Sequence, residues 1–523
     1  MTMILRLNDF QYTRLHWRLE TLTIVVSLLL LGLCLITFRR WQTKQVLRHF
    51  PTVLWCPKFV AYNYGDDGKM PSSAITNVLP RMAKLGGPYG CYGTVYGVST
   101  PVIHIAHPIP AHAVLQDVPP IQLSMTSKRT SSIALSSGAS KSPAYNHFKN
   151  FSGHGVFSAD DEEWRSKRAS VLHSLLRQGN RIETEAEFAA QTLTDCLLME
   201  NGETVDIVPI LQRSTLSLIY RYLTLTLPES DTESYQGAII KIRMILLAQS
   251  RSIWFVLPRW CYEWFSGMYR HEEEVMTPIR AFASRALRQA KPGSPLAQLR
   301  LKTSSHGTQQ ALLDEAITLL FAGQDTGAAT LSWTLHLLSL HPDVQERLAT
   351  EVKGATDFSK LPYLDAVLKE SMRLFPVAPF VVRRIVQDVP TPLVTLPRHA
   401  LACIWVYGLH RNPAVWKKDP NSFIPQRWID GPSKLELASF MPFCAGPRNC
   451  LGQPMAHVWL RVLLGRLVQS VEFVDDRLRE NVNAEDLYQD MQAGFTILPL
   501  GGVKLRIVPR KTHPTTTAIT TNK

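Results

Sequence analysis

A long, uninterrupted helical pattern limits the folds that this sequence can adopt. Apolar residues recur with helical spacing from Gln309 to Leu340, and the pattern stops at Pro342. At about 1.5 Å per residue this helix is about 48 Å long. No Gly/Ser- or Pro-rich linker divides the chain between about residue 145 and residue 510, so we expect one large, mainly α-helical domain with minor β-structure. Three short β-branched runs predict the strands: Phe380–Val386, Ala402–Val406 and Gly502–Val508.

The composition agrees with one large globular domain. The 523-residue chain is 45% apolar and 19% charged, which excludes global disorder, and no heptad or longer repeat indicates a fibre or a solenoid. The net charge of +13 favours contact with an acidic membrane face or partner. The basic residues are scattered, so ordinary solvation is the simpler interpretation and nucleic acid is not expected as a partner. Eight cysteines without a CxxC pair predict reduced thiols in a cytosolic compartment.

An apolar run near the N-terminus predicts a membrane anchor. Thr21 to Phe38 carries no charge; it is long enough to span a bilayer and too long for the core of a signal peptide. A buried core helix is the alternative. Arg39, Arg40 and the basic residues after them would keep the following chain cytoplasmic, although basic residues before the run partly oppose this orientation. We expect an N-terminal segment, the anchor, a connector, the main domain and a disordered tail, over residues 1–20, 21–38, 39–60, 61–512 and 513–523.

One of the cysteines stands in a setting that favours chemistry. Phe443 to Gly452 reads FCAGPRNCLG, a Gly/Pro loop that leads into a helical pattern, and Cys450 lies at the start of that helix. Unpaired backbone N–H groups at a helix N-terminus stabilise a thiolate. Gly446 would let a large flat ligand approach the backbone, Arg448 would pair with an acidic group of that ligand, and Phe443 would shield the sulfur from water.

These properties are the requirements of a thiolate ligand to haem iron. An ordinary loop cysteine is the simplest alternative, and a zinc site built from Cys444 and Cys450 lacks a second pair of ligands at suitable spacing. The ten residues match F-x-x-G-x-R-x-C-x-G at every fixed position. On them the sequence resembles the cytochrome P-450 superfamily of haem-thiolate monooxygenases, in its eukaryotic microsomal and here fungal form. The resemblance implies a cytochrome P-450 fold behind an N-terminal transmembrane helix, with haem b as the cofactor.

A short motif in the long helix is similar to the family's A-G-x-D/E-T signature. Residues 322–326 read AGQDT. From the residues alone, the glycine softens the helix and the threonine hydroxyl bonds back by one turn. The resemblance implies instead a helix that opens locally over the iron, where Thr326 holds a water or bound oxygen and Asp325 links to a proton supply. Asp325 and Thr326 are therefore the predicted catalytic residues.

Two further motifs resemble elements that brace the family's haem pocket. Glu370 and Arg373 form an E-x-x-R pair, which by itself is an ordinary pair on one helix face, and Arg427 lies in a P-x-R-[FW] segment. The resemblance implies that these three side chains form one buried network. Its expected role is structural.

Other basic residues are expected to meet the two haem propionates. Trp164 and Arg168 resemble the family's W-x-x-x-R helix, which contacts these groups. Arg383, with Arg384 as the alternative, follows a turn where the family often has another propionate partner. Basic side chains are needed because two carboxylates in an apolar pocket are costly without partners.

The resemblance implies a monooxygenase that inserts one oxygen atom from O2 into a lipophilic molecule. The implied partners are an NADPH-dependent flavoprotein reductase, cytochrome b5 as a further electron donor, and membrane lipid. The implied location is the endoplasmic reticulum membrane, single-pass, with the catalytic domain in the cytoplasm. Tailoring of a secondary metabolite is the preferred role. Residues 153–157, 382–383 and 409–411 loosely resemble fatty-acid and alkane hydroxylases, which are the alternative.

Three other classes of protein remain open at this point. A haem-thiolate isomerase or dehydratase rearranges a peroxide without a reductase, and such enzymes often lack the acid–threonine pair that residues 325 and 326 supply. A haem-binding sensor would need neither of these residues. A membrane-tethered interaction module would not need Cys450.

Overall fold

The computed structural model describes most of the chain between residues 90 and 510. The described residues are 26–27, 31–48, 90–96, 100–115, 139–159, 161–229, 231–250, 259–303, 309–477, 491–493, 496–499 and 501–510. The predicted N-terminal segment, residues 21–25 and 28–30 of the predicted anchor, residues 49–60 of the connector and the predicted tail lie outside this set.

Helices make up most of the described chain, as the sequence predicts. They are α1 (31–47), α2 (Pro108–Leu115), α3 (Lys149–Ser152), α4 (Asp161–Leu176), α5 (Arg181–Met199), α6 (Ile207–Thr224), α7 (Thr232–Ser250), α8 (Arg259–Phe265), α9 (Gly267–Gln289), α10 (Pro295–Thr303), α11 (Gln309–Leu340), α12 (Pro342–Val352), α13 (Pro362–Leu374), α14 (Val406–Leu409), α15 (Gln426–Asp430), α16 (Lys434–Ser439) and α17 (Gln453–Ser470).

Short strands form three small sheets. They are β1 (Cys91–Tyr96), β2 (Thr100–Ile105), β3 (Ala139–Lys141), β4 (Thr204–Asp206), β5 (Val381–Ile385), β6 (Leu401–Ile404), β7 (Val471–Val474), β8 (Met491–Ala493), β9 (Ile497–Pro499) and β10 (Lys504–Pro509). The sheet orders are β1-β2-β6-β5-β3, β4-β10-β7 and β8-β9. Only the β2–β6 pairing among the described strands is parallel. The three predicted runs correspond to β5, β6 and β10, whereas β3 and β4 are too short to leave an alternating pattern in the sequence.

Helix α11 passes through the middle of the core. It begins at Gln309 and ends at Leu340, the bounds predicted from the periodicity, and most of its side chains are buried. It packs against α6, α9 and α13. The ring of Trp333 stacks on Phe375 with 4.1 Å between centroids, and Trp333 Nε1 donates to the carbonyl oxygen of Ile497 at 3.2 Å. A helix held on several sides fixes the position of any functional group that it carries.

Helix α1 contains the described part of the predicted anchor and of the connector. Its apolar side chains are largely exposed, with Leu31 and Leu33 each at 57% and Phe38 at 54%, whereas Leu47 is buried against the strands. Within the part of the chain that the structure describes, no helix has both the length and the apolar character needed to cross a membrane.

Candidate functional site

The loop before α17 folds back on itself and presents Cys450 at the start of the helix. The N–H of Cys450 donates to the carbonyl oxygen of Phe443 at 2.9 Å. Two residues of the loop have left-handed backbones, Cys444 with φ 63° and Gly446 with φ 76°, and the glycine adopts this conformation without the cost that a side chain adds. A Cβ added at Gly452 would meet only the Cys450 sulfur, at 3.9 Å.

Two effects act on the Cys450 thiol. Cys450 is exposed, but desolvation by the surrounding protein raises the pKa of its thiol. The backbone N–H groups of Gly452 and Gln453 and the guanidinium of Arg168 act against this shift and favour the thiolate. The helix start thus contributes as expected, yet desolvation outweighs it.

Helix α4 brings Trp164 and Arg168 against the cysteine loop. Arg168 donates to the backbone oxygen of Asn449 at 2.8 Å and to its side-chain oxygen at 2.5 Å. Arg448 lies over the ring of Trp164, 4.4 Å from the centroid, and donates to the carbonyl oxygen of Ala159 at 3.2 Å. Two of the three predicted propionate partners, together with Trp164, therefore cluster beside the candidate metal ligand.

Strand β5 separates the two candidates Arg383 and Arg384. Arg383 is buried and Arg384 is exposed, because successive residues of a strand point to opposite faces. Arg383 lies near Tyr145 and Cys444: burial raises the pKa of both of these groups, and the guanidinium acts against the rise in each. Tyr145 was not identified from the sequence, since it belongs to a short turn that matches no motif.

Helix α11 is continuous through residues 322–327, so the local opening implied by the resemblance is not present. Ala322 and Thr326, four residues apart, are both exposed in a helix that is otherwise mostly buried. The Thr326 hydroxyl donates to the carbonyl oxygen of Ala322 at 2.7 Å, which is the back-bond expected from the residues alone. A Cβ on Gly323 would lie 2.6 Å from Ile219 of α6. The glycine is therefore needed for close packing of α6 against α11.

Asp325 points away from this exposed stripe and is buried. Its Oδ1 forms an ion pair with Arg243 of α7, and its Oδ2 accepts a hydrogen bond from the Thr496 hydroxyl at 3.0 Å. Sequence reasoning identified neither partner, because neither lies in a motif or at a fixed spacing from Asp325.

Glu370, Arg373 and Arg427 are brought together in one buried cluster. The Glu370 carboxylate accepts hydrogen bonds at 2.8–3.0 Å from Arg373 Nε and Nη2, Arg427 Nε, Trp428 Nε1 and the backbone N–H of Ile424. Burial alone would raise the pKa of Glu370, but the two guanidinium groups outweigh it and hold this pKa below its usual range. Both oxygens of the carboxylate thus accept from several donors, as a buried charge requires.

His410 links this cluster to the cysteine loop, a connection that the sequence did not reveal. Arg373 Nη1 donates to the His410 carbonyl oxygen at 2.8 Å, and the backbone N–H of Met441 donates to His410 Nε2 at 2.9 Å. Because Nε2 accepts, Nδ1 carries the proton and donates to the Arg373 carbonyl oxygen at 3.1 Å. Burial lowers the pKa of His410 to about 3, so the ring stays neutral.

The residues in this region fit a haem. Cys450 offers one exposed thiol, three arginines lie at or near the cysteine loop for the two carboxylates, and α11 has an exposed stripe at Ala322 and Thr326. Within the described residues, no group of three or more His, Cys, Asp or Glu side chains could hold a metal ion.

Comparison with known proteins gives one family. The sequence model described as "Cytochrome P450" matches residues 127–494. The chain is 28% identical to "Probable cytochrome P450 4s3" of Drosophila melanogaster over 417 residues, which are 72% of this chain and 80% of that protein. It is 25% identical to "Cytochrome P450 4c3" of the same organism, over 71% of this chain and 76% of that protein. It is 36% identical to human "Cytochrome P450 4F12" over a shorter region, 37% of this chain and 38% of that protein.

Proposed function

The chain belongs to the cytochrome P450 family of haem b monooxygenases, and from that premise we propose that it oxidises a lipophilic small molecule and tailors a secondary metabolite. The observation that carries the proposal is the exposed Cys450 thiol, held at the start of α17 by the folded loop, with Arg168 bonded to the adjacent Asn449. Bound haem b supplies the iron at which O2 is reduced and from which one oxygen atom passes to the substrate.

The residues of this chain would hold and surround that group. Cys450 would be the protein ligand to the iron, with Phe443 and Gly446 shaping the loop that carries it. Arg168, Arg448 and the inward-facing Arg383 would pair with the propionates, with Trp164 supporting the first two. Charge pairing of this kind is needed because the carboxylates leave water on binding.

Asp325 and Thr326 would handle the protons of the reaction. The Thr326 hydroxyl is exposed and back-bonded to α11, so it would give and accept a proton while the helix keeps its shape. Asp325, one residue earlier, would link Thr326 to the supply of protons. The Glu370–Arg373–Arg427 cluster would take no part in the chemistry and would keep the segments around the cysteine loop in place.

The proposed cellular setting is the cytoplasmic face of the endoplasmic reticulum membrane, in a microsomal enzyme of fungal type. Residues 21–38 would be the single anchor, 39–60 the connector and 61–512 the catalytic domain. The exposed apolar side chains Leu31, Leu33 and Phe38 of α1 support an apolar surrounding for this segment. Electrons would come from an NADPH-dependent flavoprotein reductase, with cytochrome b5 as a second donor.

A fatty-acid or alkane hydroxylase is the second candidate. Residues 153–157 are one of the segments that resemble fatty-acid and alkane hydroxylases. The observation in favour of this candidate is that these residues pack against α11. The N–H of His154 donates to Asp314 at 2.9 Å, and a Cβ on Gly155 would lie 2.4 Å from the hydroxyl oxygen of Thr318. This segment would therefore form part of the pocket wall and influence which chain-like substrates fit.

An isotope experiment tests the proposed reaction. The haem-loaded protein, supplied with NADPH, a flavoprotein reductase and 18O2, should convert a bound lipophilic compound to a product that carries one 18O atom. Thr326→Ala should keep the haem but divert a larger share of NADPH to hydrogen peroxide. If product forms without NADPH or reductase, and Thr326→Ala leaves it unchanged, the reductase-independent isomerase takes the place of the monooxygenase.

A further inference from the structure

Glu315 of α11 is a buried acid whose oxygens lack hydrogen-bond donors. The residue is 5% exposed, and neither carboxylate oxygen accepts a hydrogen bond of normal geometry from a described residue. The adjacent Asp314 is equally buried, but it accepts from the N–H of His154 at 2.9 Å and from the side chain of Gln310 at 2.7 Å. Buried acceptors are nearly always paired in folded proteins, so the two free oxygens of Glu315 indicate a donor that the chain itself does not supply.

Glu315 lies on the same face of α11 as the proposed catalytic Thr326. Successive residues of a helix are turned by about 100°, so residues seven and eleven positions apart lie within about 20° of each other. These positions are Ala322 and Thr326, which are both exposed, and Leu319 between them and Glu315 is partly exposed. The distance from Glu315 to Thr326 along the axis is about 16 Å. An elongated molecule along this face, with one end at Thr326, would therefore bring its other end to Glu315.

The charged groups that act on Glu315 are mainly acidic. Desolvation raises the pKa of Glu315 to about 7, and the carboxyls of Asp314 and Glu163 add to this rise. The backbone N–H of Val156 and the ammonium of Lys167 act against it. Lys167 already forms an ion pair with Glu163 at 2.8 Å. In this group of described residues, one ammonium group thus faces three carboxyl groups, which favours a ligand with positive charge.

We propose that Glu315 binds a protonated amine at one end of an otherwise apolar substrate. This inference rests on the proposed function and specifies its substrate class as a lipophilic amine rather than a fatty acid. The ammonium N–H would donate to the free carboxylate oxygens, and a charge-assisted hydrogen bond is stronger than a neutral one. Its positive charge would also balance Asp314 and Glu163. The carboxylate of a fatty acid would meet charges of its own sign at this place, and an alcohol would form only a weaker hydrogen bond.

Three probes with the same twelve-carbon chain test this proposal. N,N-dimethyldodecylamine is a cation with one N–H at pH 7, dodecan-1-ol is neutral and dodecanoic acid is an anion. Glu315→Gln removes the charge while nearly keeping the size of the side chain. Glu163→Gln is the matched control, because it removes another carboxyl of the same group whose side chain is 40% exposed. Equilibrium dialysis of the haem-loaded full chain would give the Kd of each probe.

The wild type should bind the amine most tightly, then the alcohol, then the acid. Glu315→Gln should raise the Kd of the amine by about ten- to a hundredfold, which is the range for a hydrogen bond to a charged group, and should change that of the alcohol much less. Glu163→Gln should raise the Kd of the amine by no more than about fivefold, as solvent screens an exposed charge. Equal effects of the two substitutions on the amine, or a wild type that prefers the acid, would overturn the inference.

The position of the nitrogen provides a second test on the wild type alone. With the ammonium group at Glu315, the chain should be oxidised near its methyl end, far from the nitrogen. Mass spectrometry of the product formed with NADPH and a flavoprotein reductase would locate the added oxygen. Release of an N-methyl group as formaldehyde, or the red-shifted haem absorption of a nitrogen-ligated iron, would place the amine at the iron and refute the proposal.

Binding and turnover are measured separately, so the inference and the proposed function can fail independently. If the amine binds in a manner that depends on Glu315 but 18O2 yields no labelled product, the amine site stands and the monooxygenase proposal is wrong. If the alcohol or the acid is oxidised while the amine binds no more tightly than the alcohol, only the inference is wrong. Should Glu315→Gln not retain haem, the order of the three Kd values on the wild type decides.

Discussion

Replacing Glu370 by glutamine should be far more damaging than the same change in an exposed ion pair. The Glu370 carboxylate is fully buried and binds two guanidinium groups, of which Arg373 is also fully buried. Glutamine keeps the size of the side chain but removes its charge. Its NH2 group would also face N–H donors where the carboxylate had an accepting oxygen. Removing one partner of a buried ion pair costs about 3–5 kcal/mol. Because two arginines lose their counter-ion here, we expect about 5 kcal/mol.

Glu187→Gln is the matched control. Glu187 pairs with Arg466 through two hydrogen bonds of 2.8 and 3.2 Å, but these side chains are 37% and 32% exposed. Exposed pairs contribute about 0.2–1 kcal/mol. Urea unfolding of the haem-loaded protein, followed by circular dichroism, would compare the two variants with the wild type at pH 7. If Glu370→Gln lowers the free energy of unfolding no more than Glu187→Gln does, the network does not stabilise the fold as argued.

The same carboxylate should make part of the stability sensitive to acid. Burial would raise the pKa of Glu370, but Arg373 and Arg427 hold it below the ordinary value of 4.5. A group with a depressed folded-state pKa contributes its full stability above the unfolded-state pKa and loses it as the pH falls through the folded-state pKa. The wild type should therefore lose stability below pH 4.5 more steeply than Glu370→Gln. If the urea midpoints of the two proteins fall by the same amount as the pH is lowered below 4.5, this expectation is wrong.

Three further outcomes are expected. Cys450→Ser should abolish the red-shifted carbon monoxide band of the reduced protein, while Cys444→Ser keeps it. The reverse result would show that Cys444, and not Cys450, is the iron ligand. Gly323→Ala should lower stability by about 1–3 kcal/mol, because the new Cβ would lie 2.6 Å from Ile219; the loss measured by urea unfolding should shrink in an Ile219→Ala background, and an unchanged loss would refute the steric cause. Asn150, in the sequon Asn-Phe-Ser, should stay unglycosylated in a eukaryotic host, and an endoglycosidase-sensitive mass shift there would contradict the cytoplasmic orientation.

Local spacing explains what could be predicted from the sequence. The helical spacing of apolar residues predicted both ends of α11, since a long apolar pattern is a strong helix signal. The pair Glu370 and Arg373 lies three residues apart on one helix, and only family resemblance could add Arg427. Neighbouring residues such as Arg383 and Arg384 could not be separated, because the strand that turns one of them inward is defined by pairing with β6.

The unpredicted parts of the site are contacts between distant segments. Arg243 meets Asp325 only because α7 crosses near α11, and His410 meets Met441 only because two loops pack together. Such contacts leave no periodic or fixed-spacing signal in one sequence. Three-residue strands such as β3 leave no signal either, since alternation is recognisable only over about four to eight residues.

The position of β10 has a consequence for synthesis of the protein on the ribosome. This strand lies between β4 and β7, and its pairing joins Lys504 to Asp206, almost three hundred residues earlier. Strand β4 therefore stays without this partner until almost three hundred more residues have been translated. A premature stop codon just before residue 504 would leave every described helix encoded but two strand edges unpaired, and unpaired edges promote aggregation. Completion of this small sheet thus depends on one of the last described segments to leave the ribosome.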